Sequence, residues 1–182
     1  MLLDTPLCNF GWQAPEFTLS DPDGKTFTLS EQLGDKGLLI AFICNHCPYV
    51  KAIADRLAAD TSLLMNQGIN VLAIMSNDFQ RYPSDSPENM KLFANKHNFS
   101  FPYLVDPDQT VAKAYDAVCT PDFFGFNKNG ELQYRGRLDD TKMDGESQRI
   151  PELVEAMQLI ATTDSGPKEQ FASMGCSIKW HD

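Results

Sequence analysis

Two cysteines separated by two residues are the most reactive feature of the sequence. Cys44 and Cys47 enclose Asn45 and His46, and Pro48 follows directly. Thiols at this spacing can close a disulfide, so the pair can exchange electrons with another dithiol or disulfide. The pair can also supply half of a zinc site, or fill the core as small apolar side chains.

The segments on either side of the pair favour the redox interpretation. The apolar run 38–43 is typical of a buried strand. The helix that follows begins no earlier than about Cys44, because Pro48 is tolerated only in a first turn. Cys44 would then lie at a helix N-terminus that favours a thiolate, and with His46 nearby we predict a Cys44 pKa below about 7. Cys44 is the predicted nucleophile and Cys47 the resolving thiol, which requires sulfurs that are close together and open to solvent.

The other cysteines give little support to a metal site. A zinc half-site needs a second ligand pair, and Cys119 and Cys176 are isolated in the sequence. Cys119 lies two residues before Pro121. For Cys119, packing is favoured over a role as a third thiol. Cys176 lies in a tail that can fold over the body of the protein, and Cys8 is expected to be structural. A dithiol redox site is therefore the favoured interpretation.

Strand and helix patterns alternate along the chain and predict an α/β protein. Residues 16–29 have the pattern of a hairpin with Asp23-Gly24 in its turn, and Asn129-Gly130 marks a second hairpin. Two buried strands are predicted at 38–43 and 69–75, and a short extended segment at 101–106. Helices are predicted after Pro48 and at 86–97, 107–116 and 150–161.

These elements predict a central mixed β-sheet flanked by helices. No repeat or linker divides the sequence, so we expect one domain over residues 1–182. Within it we distinguish an N-terminal extension with the β-hairpin (1–36), a core (37–161) and a C-terminal tail (162–182).

Charge and hydropathy exclude several classes of function. The 182-residue chain has a formal net charge of -10, so a broad surface for nucleic acid phosphates is not expected. No apolar run approaches the roughly 18 residues that span a bilayer, and the N-terminus lacks the pattern of a secretory signal. We expect a cytoplasmic protein without nucleic-acid or membrane partners. The acidic residues Asp139-Asp140 and Asp144 with Glu146 are expected in a solvated loop, because they lack a calcium-loop pattern.

Five stretches of the sequence together resemble a known family. They are APEFTLSDPDGKTFTLSEQLG, CNHCPYVKA, FPYLVDPDQTVAKAYDAVCTPDFFGFNKNGEL, GRLDD and GCSIKW. The chain resembles the thioredoxin-like branch of the alkyl hydroperoxide reductase/thiol-specific antioxidant (peroxiredoxin-like) superfamily. The resemblance implies a thioredoxin-like fold in which Pro121 is a cis-proline that faces the dithiol. It also implies that the Thr120 backbone offers strand-like hydrogen bonds to a substrate, whereas the residues alone favour an ordinary strand-edge proline.

The sequence departs from the thioredoxin pattern around the cysteines. Thioredoxins carry Trp before the first cysteine and Gly-Pro between the two, where this chain has Ile43 and Asn45-His46. The position of His46 is shared with a periplasmic disulfide-bond oxidase, which suggests a less reducing potential. The run 38–43 contains no acidic residue, so the buried carboxylate of thioredoxins is missing from that strand. The base that deprotonates Cys47 is therefore not identified.

The sequence departs from the peroxiredoxin pattern as well. Peroxiredoxins place Thr or Ser three residues before the peroxidatic cysteine, and Ala41 stands at that spacing from Cys44. The arginine expected near Pro121 is missing, and Arg135 and Arg137 are poor substitutes. Since such groups polarise the peroxide, their loss argues against fast peroxidase chemistry.

We therefore predict an enzyme, a thiol–disulfide oxidoreductase that acts on protein or small-molecule thiols and disulfides. Thioredoxin or glutathione is the expected reductant, and no cofactor or metal is required. The alternatives are a thioredoxin-dependent thiol peroxidase that uses the same pair, and a non-catalytic metal-binding or interaction module. The predicted site residues are Cys44, Cys47, His46, Thr120 and Pro121.

Overall fold

The computed structural model describes residues 1–142 and 148–182. Its strands are β1 (Leu2–Asp4), β2 (Thr18–Ser20), β3 (Thr26–Thr28), β4 (Leu38–Phe42), β5 (Asn70–Met75), β6 (Tyr103–Val105), β7 (Cys119–Thr120), β8 (Asp122–Phe126), β9 (Leu132–Gly136) and β10 (Met174–Ser177). Its helices are α1 (Leu29–Gln32), α2 (Pro48–Asn66), α3 (Pro87–His97), α4 (Thr110–Ala114) and α5 (Glu152–Thr163).

A mixed sheet of seven strands forms the centre of the protein, in the order β3-β2-β6-β5-β4-β8-β9. β4 runs parallel to β5 on one side and antiparallel to β8 on the other. Successive side chains of β4 alternate between two apolar clusters, with Leu39 in one and Ile40 in the other. Burying an aliphatic side chain stabilises by about 1.5–3 kcal/mol, so both faces of β4 contribute to the core. The predicted α/β architecture and the N-terminal hairpin, β2 with β3, are confirmed.

Helices α2, α3 and α5 cover one face of the sheet, and the N-terminal segment and α4 cover the other. The cluster around Leu39 includes Val50 of α2, Met90 of α3 and Met157 of α5. The opposite cluster includes Phe17 from the N-terminal segment, together with residues of α4. The strand ends next to α2 are therefore enclosed from both sides, which matters for the cysteines that follow β4.

A second, three-stranded sheet joins the two termini of the chain. β10 lies between β1 and β7 and is antiparallel to both. Neither β1 nor β10 was expected as a strand, because each is short and lacks a clear apolar alternation. Their pairing places the C-terminal tail directly beside the strand that precedes Pro121.

Two expectations about local structure need correction. α4 begins at Thr110 and not at Pro107. Its N-cap residue Gln109 has a left-handed backbone with φ of 63°, which a right-handed helix cannot include. Asp139 is buried and does not lie in a solvated loop; its carboxylate pairs with Arg56 at 2.8 Å and Arg149 at 3.2 Å.

The predicted loop residues Asp144 and Glu146 lie outside the described residues. Within residues 1–142 and 148–182, no helix has both the length and the apolar character needed to cross a membrane.

Candidate active site

The cysteine pair lies in the short connection between β4 and α2. α2 begins at Pro48 and Cys47 is its N-cap residue, so Cys44 precedes the helix. The two thiols lie near each other, since both contact Thr120 within one buried cluster, as the predicted mechanism requires. The other requirement is not met, because Cys44 is 1% exposed and Cys47 is fully buried. A partner therefore cannot reach either sulfur directly in this conformation.

Thr120 contacts both thiols from the opposite side. Its hydroxyl lies 3.5 Å from Cys44 Sγ, and its carbonyl oxygen lies 3.3 Å from Cys47 Sγ. The peptide bond between Thr120 and Pro121 is cis, so the cis-proline that the resemblance implied is confirmed. This bond separates β7 from β8. Thr120, Cys44 and Cys47 therefore form one buried cluster.

The charge within the pair differs from the sequence prediction. The hydrogen bond to Cys47, burial and the nearby Asp85 carboxylate all raise the pKa of Cys44, so its predicted low pKa is wrong. The hydrogen bond from Cys44 lowers the pKa of Cys47, and backbone N–H groups of Cys176 and Val50 lower it further. Burial of Cys47 opposes these donors, but its pKa is lowered overall. The pKa shifts therefore favour Cys47 over Cys44 as the thiolate of the pair.

Asp85 supplies the buried carboxylate that sequence reasoning did not find. It ends a 3₁₀ turn after β5 and has no exposed surface. It accepts hydrogen bonds from the Asn45 N–H at 2.8 Å, from the Asn77 side chain at 2.9 Å and from His46 Nδ1. Burial raises the pKa of Asp85, but these donors outweigh burial and lower it overall. Asp85 is thus held as an anion next to Cys44.

A sequence signal for Asp85 does exist. β4 and β5 are parallel, so the loops after both strands meet at the same edge of the sheet. A carboxylate was expected only in the strand before the cysteines. The polar loop after the parallel strand β5 can also bring a carboxylate to them.

His46 lies between Asp85 and the protein surface. Its ring stacks on that of Tyr82, with centroids 5.8 Å apart and planes 3° from parallel. The hydrogen bond to Asp85 raises the pKa of His46, which favours the imidazolium. About 28% of the His46 side chain is exposed, so it is a polar group through which the site contacts solvent.

The C-terminal strand brings a third thiol to the pair. In the register of β10 with β7, Cys176 is opposite Thr120. Cys176 packs against the apolar cluster that contains Cys44 and Cys47, and it is only partly buried. The tail therefore does fold over the body, next to the dithiol.

The two remaining cysteines have no contact of this kind. Cys119 is fully buried, its sulfur lies 3.8 Å from the Pro121 carbonyl oxygen, and burial raises its pKa to about 12. Burial also raises the pKa of Cys8 to about 11. Both environments fit packing better than reactivity.

The two arginines considered as peroxide ligands are held by carboxylates. Arg135 is buried and pairs with Asp122 at 2.9 Å. Arg137 pairs with Glu152 at 2.7 Å. Neither guanidinium group contacts the thiols among the hydrogen bonds of the described residues, which agrees with the expectation that they are poor substitutes.

A possible metal-ligand set overlaps the redox site. Ligand atoms of Cys44, His46 and Asp85 lie within 4.8 Å of one another. Sulfur, nitrogen and carboxylate oxygen all suit zinc, and three protein ligands are enough for a site with an open position. The sequence did not indicate this set, because it lacks a second cysteine or histidine pair and Asp85 is distant in the chain.

Comparison with known proteins places these residues in a family. The model of the AhpC/TSA family matches residues 10–135, which is more than half of the chain. The chain belongs to the AhpC/TSA family. This matched segment contains both cysteines of the pair, Asp85 and the cis-proline, but not β10.

Relatives of this AhpC/TSA-family chain carry two kinds of name. The thiol-disulfide oxidoreductase ResA of Halalkalibacterium halodurans is 27% identical over 130 residues, 71% of this chain and 69% of the relative. Peroxiredoxin Bcp of Escherichia coli K12 is 27% identical over 117 residues, 64% of this chain and 70% of the relative. The relatives therefore support thiol-based redox chemistry in general.

Solved structures confirm the fold. The crystal structure of a conserved protein from Geobacillus kaustophilus has a TM-score of 0.94 and 40% identity, and the match covers 100% of this chain and 97% of that one. The likeness thus includes the C-terminal tail. More distant oxidoreductase structures share the core architecture, so the predicted thioredoxin-like fold is confirmed.

Proposed function

We propose that the protein is a thiol–disulfide oxidoreductase whose redox centre is the Cys44–Cys47 pair. The observation that carries this proposal is the packing of two buried thiols against Thr120, beside a cis-proline. A thiolate is the reacting form of cysteine, and a neighbouring thiol can complete the exchange. The arrangement provides both before a partner arrives.

In the oxidising direction for the protein, two exchange steps transfer two electrons to a partner disulfide. A thiolate of the pair attacks one partner sulfur, a mixed disulfide forms and the first partner thiolate leaves. The second cysteine then loses its proton, attacks the first and releases the other partner thiolate. The products are one intramolecular disulfide and two reduced partner thiols.

Asp85 is the proposed proton acceptor for Cys44. It is a buried anion, and its charge acts on the Cys44 thiol. His46 connects Asp85 to the exposed surface, so the proton has a polar route to solvent. Asp85 thereby provides a base for Cys44, whereas the base sought in the sequence was one for Cys47.

The order of attack is open to direct test. The sequence predicts that Cys44 attacks first, whereas the pKa shifts favour Cys47 as the thiolate. Variants Cys44→Ser and Cys47→Ser each retain one thiol of the pair and can be trapped as mixed disulfides. Faster trapping of the Cys44→Ser variant supports Cys47 as the nucleophile; faster trapping of Cys47→Ser supports the sequence prediction.

The substrate approach is proposed to be a groove beside the cis-proline. It has a volume of about 630 Å³, and its lining includes Tyr49, Ile53, Pro121, Phe123 and Met174. The apolar side chains can hold part of a thiol-bearing partner next to the buried cluster. Met174 belongs to the C-terminal tail, so the tail forms one wall of the groove.

The decisive experiment is a redox titration of the purified full chain in buffers of reduced and oxidised dithiothreitol. After acid quenching and alkylation, peptide mass spectrometry is expected to show a reversible Cys44–Cys47 disulfide. The Cys119→Ser variant is the control and is expected to titrate like the parent. A pair that stays reduced at every ratio would exclude this function. A reduction potential of about −270 mV would indicate a reductant, and one of about −120 mV would indicate an oxidant.

A thiol peroxidase is the second candidate, supported by the similarity to peroxiredoxin Bcp. The attacking thiolate would take one peroxide oxygen to become a sulfenic acid, as the O–O bond breaks and the other oxygen leaves as hydroxide. The second thiol would then attack this sulfur, release its oxygen as water and form the disulfide. Ala41 and the paired Arg135 leave the peroxide without the expected polarising groups. Stopped-flow oxidation by hydrogen peroxide separates the two functions, because a peroxidase reacts orders of magnitude faster than free cysteine.

A metal-binding module is the third candidate, supported by the cluster of Cys44, His46 and Asp85. Native mass spectrometry of the freshly purified protein measures bound metal directly. Stoichiometric zinc together with two unreactive thiols would favour this candidate over an oxidoreductase.

We propose thioredoxin or glutathione as the reductant, because the relatives' names refer to thiol and disulfide chemistry. Steady-state assays with each reductant identify the one that turns the protein over. A cytoplasmic location is also a proposal, to be tested by cell fractionation.

A further inference from the structure

Burial of the dithiol raises the question of how electrons reach it. Cys44 is 1% exposed and Cys47 is fully buried, so an external thiol cannot contact either sulfur directly. Cys176 is the thiol next to them that is partly exposed. Among these three cysteines, Cys176 is therefore the one nearest the surface.

The backbone holds Cys176 firmly in this place. β10 is paired on both sides, with β1 and with β7, and Cys176 is opposite Thr120. The neighbouring Gly175 passes so close to β7 that a Cβ atom there would lie 1.9 Å from the Thr120 carbonyl oxygen. Ser173 donates a buried hydrogen bond to the Pro121 carbonyl oxygen at 2.7 Å.

Residues after β10 connect the tail to the carboxylate of the site. The Lys179 N–H donates to the Asn77 side-chain oxygen at 2.8 Å, and the nitrogen of the same side chain donates to Asp85 at 2.9 Å. The Gln109 side chain binds the Lys179 carbonyl oxygen at 2.8 Å. The tail is thus a built part of the site, and the position of Cys176 is fixed by contacts on both sides of it.

We propose that Cys176 is a third redox thiol, which carries the disulfide between the buried pair and an external dithiol. This proposal rests on the proposed function, and it assigns the exchange to Cys176 and Cys47, because both lie against Thr120 and Cys176 packs on the cluster that contains the pair. A cysteine at an unrelated surface position would not lie beside the pair.

The internal step is a disulfide exchange that needs no outside oxidant. Starting from the Cys44–Cys47 disulfide, the Cys176 thiolate attacks Cys47 Sγ. A Cys47–Cys176 bond forms, the Cys44–Cys47 bond breaks, and Cys44 leaves as a thiolate that takes up the proton released by Cys176. One disulfide and one thiol are present before and after this step, so the oxidation level of the protein is unchanged.

The second step passes the disulfide to a partner. An external dithiol attacks the accessible Cys176 sulfur and forms a mixed disulfide, and Cys47 leaves as a thiolate. The second partner thiol then attacks the partner sulfur of this mixed disulfide, and Cys176 leaves as a thiolate. The partner is now a disulfide, and both protein cysteines are reduced. The partner must offer two thiols, of which one reaches a strand at the surface.

The first test asks whether the Cys47–Cys176 bond forms. The Cys44→Ser variant is oxidised with glutathione disulfide, quenched with N-ethylmaleimide and analysed by peptide mass spectrometry. We expect a Cys47–Cys176 crosslinked peptide as the main product. A product in which Cys47 retains glutathione while Cys176 is alkylated would overturn the proposal.

The second test measures how fast dithiothreitol reduces the Cys44–Cys47 disulfide in the full chain. Cys176→Ser and Cys176→Ala are both expected to react about tenfold more slowly than the parent, because both lack the accessible thiol. The Cys119→Ser variant is the matched control and is expected to keep the parent rate. Equal rates in all four proteins would overturn the proposal.

The two tests also separate this inference from the proposed function. If the parent never forms the Cys44–Cys47 disulfide, the proposed function itself fails. If the parent disulfide forms reversibly but Cys176 neither crosslinks nor affects the rate, only the third-thiol proposal fails.

Discussion

The Asp85 carboxylate accepts a hydrogen bond from His46 Nδ1, although the two residues are 39 positions apart in the chain. This contact fixes an ion pair at the edge of the thiol cluster, with His46 toward solvent and Asp85 buried. The pair gives the dithiol a charged neighbour whose effects on pKa and on stability can be measured.

The location of the thiolate is the first prediction. Cys47 has a lowered pKa and Cys44 a raised one, so the thiolate absorbance near neutral pH is expected to come from Cys47. The Cys44→Ser variant keeps a hydroxyl donor to Cys47 and should retain the ultraviolet thiolate band, whereas Cys47→Ser should lose it. Titration of absorbance at about 240 nm checks this. Retention of the band by Cys47→Ser alone would restore the sequence prediction for Cys44.

The second prediction concerns the effect of Asp85 on its neighbours. Asp85→Asn removes the charge that raises the pKa values of His46 and Cys44, so both are expected to fall. Nuclear magnetic resonance titration of the His46 ring protons measures the first change. Disulfide formation in this variant should also be slower, because the proposed acceptor of the Cys44 proton is lost. An unchanged His46 pKa would show that Asp85 does not control the site.

The pH dependence of stability is the third prediction. The folded-state pKa of His46 is raised above 6.5, so its pairing with Asp85 stabilises the protein fully below about pH 6.5. This contribution is lost as the pH rises through the raised pKa. A double-mutant cycle with His46→Gln and Asp85→Asn, based on urea unfolding, should give a larger coupling at pH 6 than at pH 9. Equal coupling at both values would indicate a neutral hydrogen bond.

Gly175 is the subject of the fourth prediction. Gly175→Ala places a Cβ against the Thr120 carbonyl oxygen and should displace β10, at a cost of about 1–3 kcal/mol in the free energy of unfolding. Displacement should also expose Cys47, so alkylation of Cys47 by N-ethylmaleimide should become faster. In the control Gly11→Ala, the φ of 85° strains the backbone locally, but the added Cβ meets no atom within 4 Å, so Cys47 labelling should stay at the parent rate.

The fifth prediction assigns Arg135 a structural role. Arg135→Met leaves Asp122 buried without its partner, and loss of one member of a buried pair costs about 3–5 kcal/mol. Arg81→Met removes an exposed pair with Asp182 and should change stability little. Urea unfolding measures both. A stable Arg135→Met protein with a much slower reaction with peroxide would instead favour the peroxidase candidate.

Local patterns in the sequence were sufficient for much of the fold. The hairpin of β2 and β3, the buried strand β4 and the helix from Pro87 to His97 follow from turn residues, apolar runs and helix start signals. The cysteine spacing with Pro48 located the redox candidate. The cis bond at Pro121 came from the family resemblance and not from the residues alone.

The sequence by itself determined which thiols are paired and which strand and helix position them, because those features depend on neighbours along the chain. Only the tertiary structure decided where the charge lies, since Asp85, Thr120 and Cys176 reach the pair from distant segments. The burial of both thiols was decided in the same way. β10 is too short to form alone, and it becomes a strand only because β1 and β7 supply its hydrogen-bond partners.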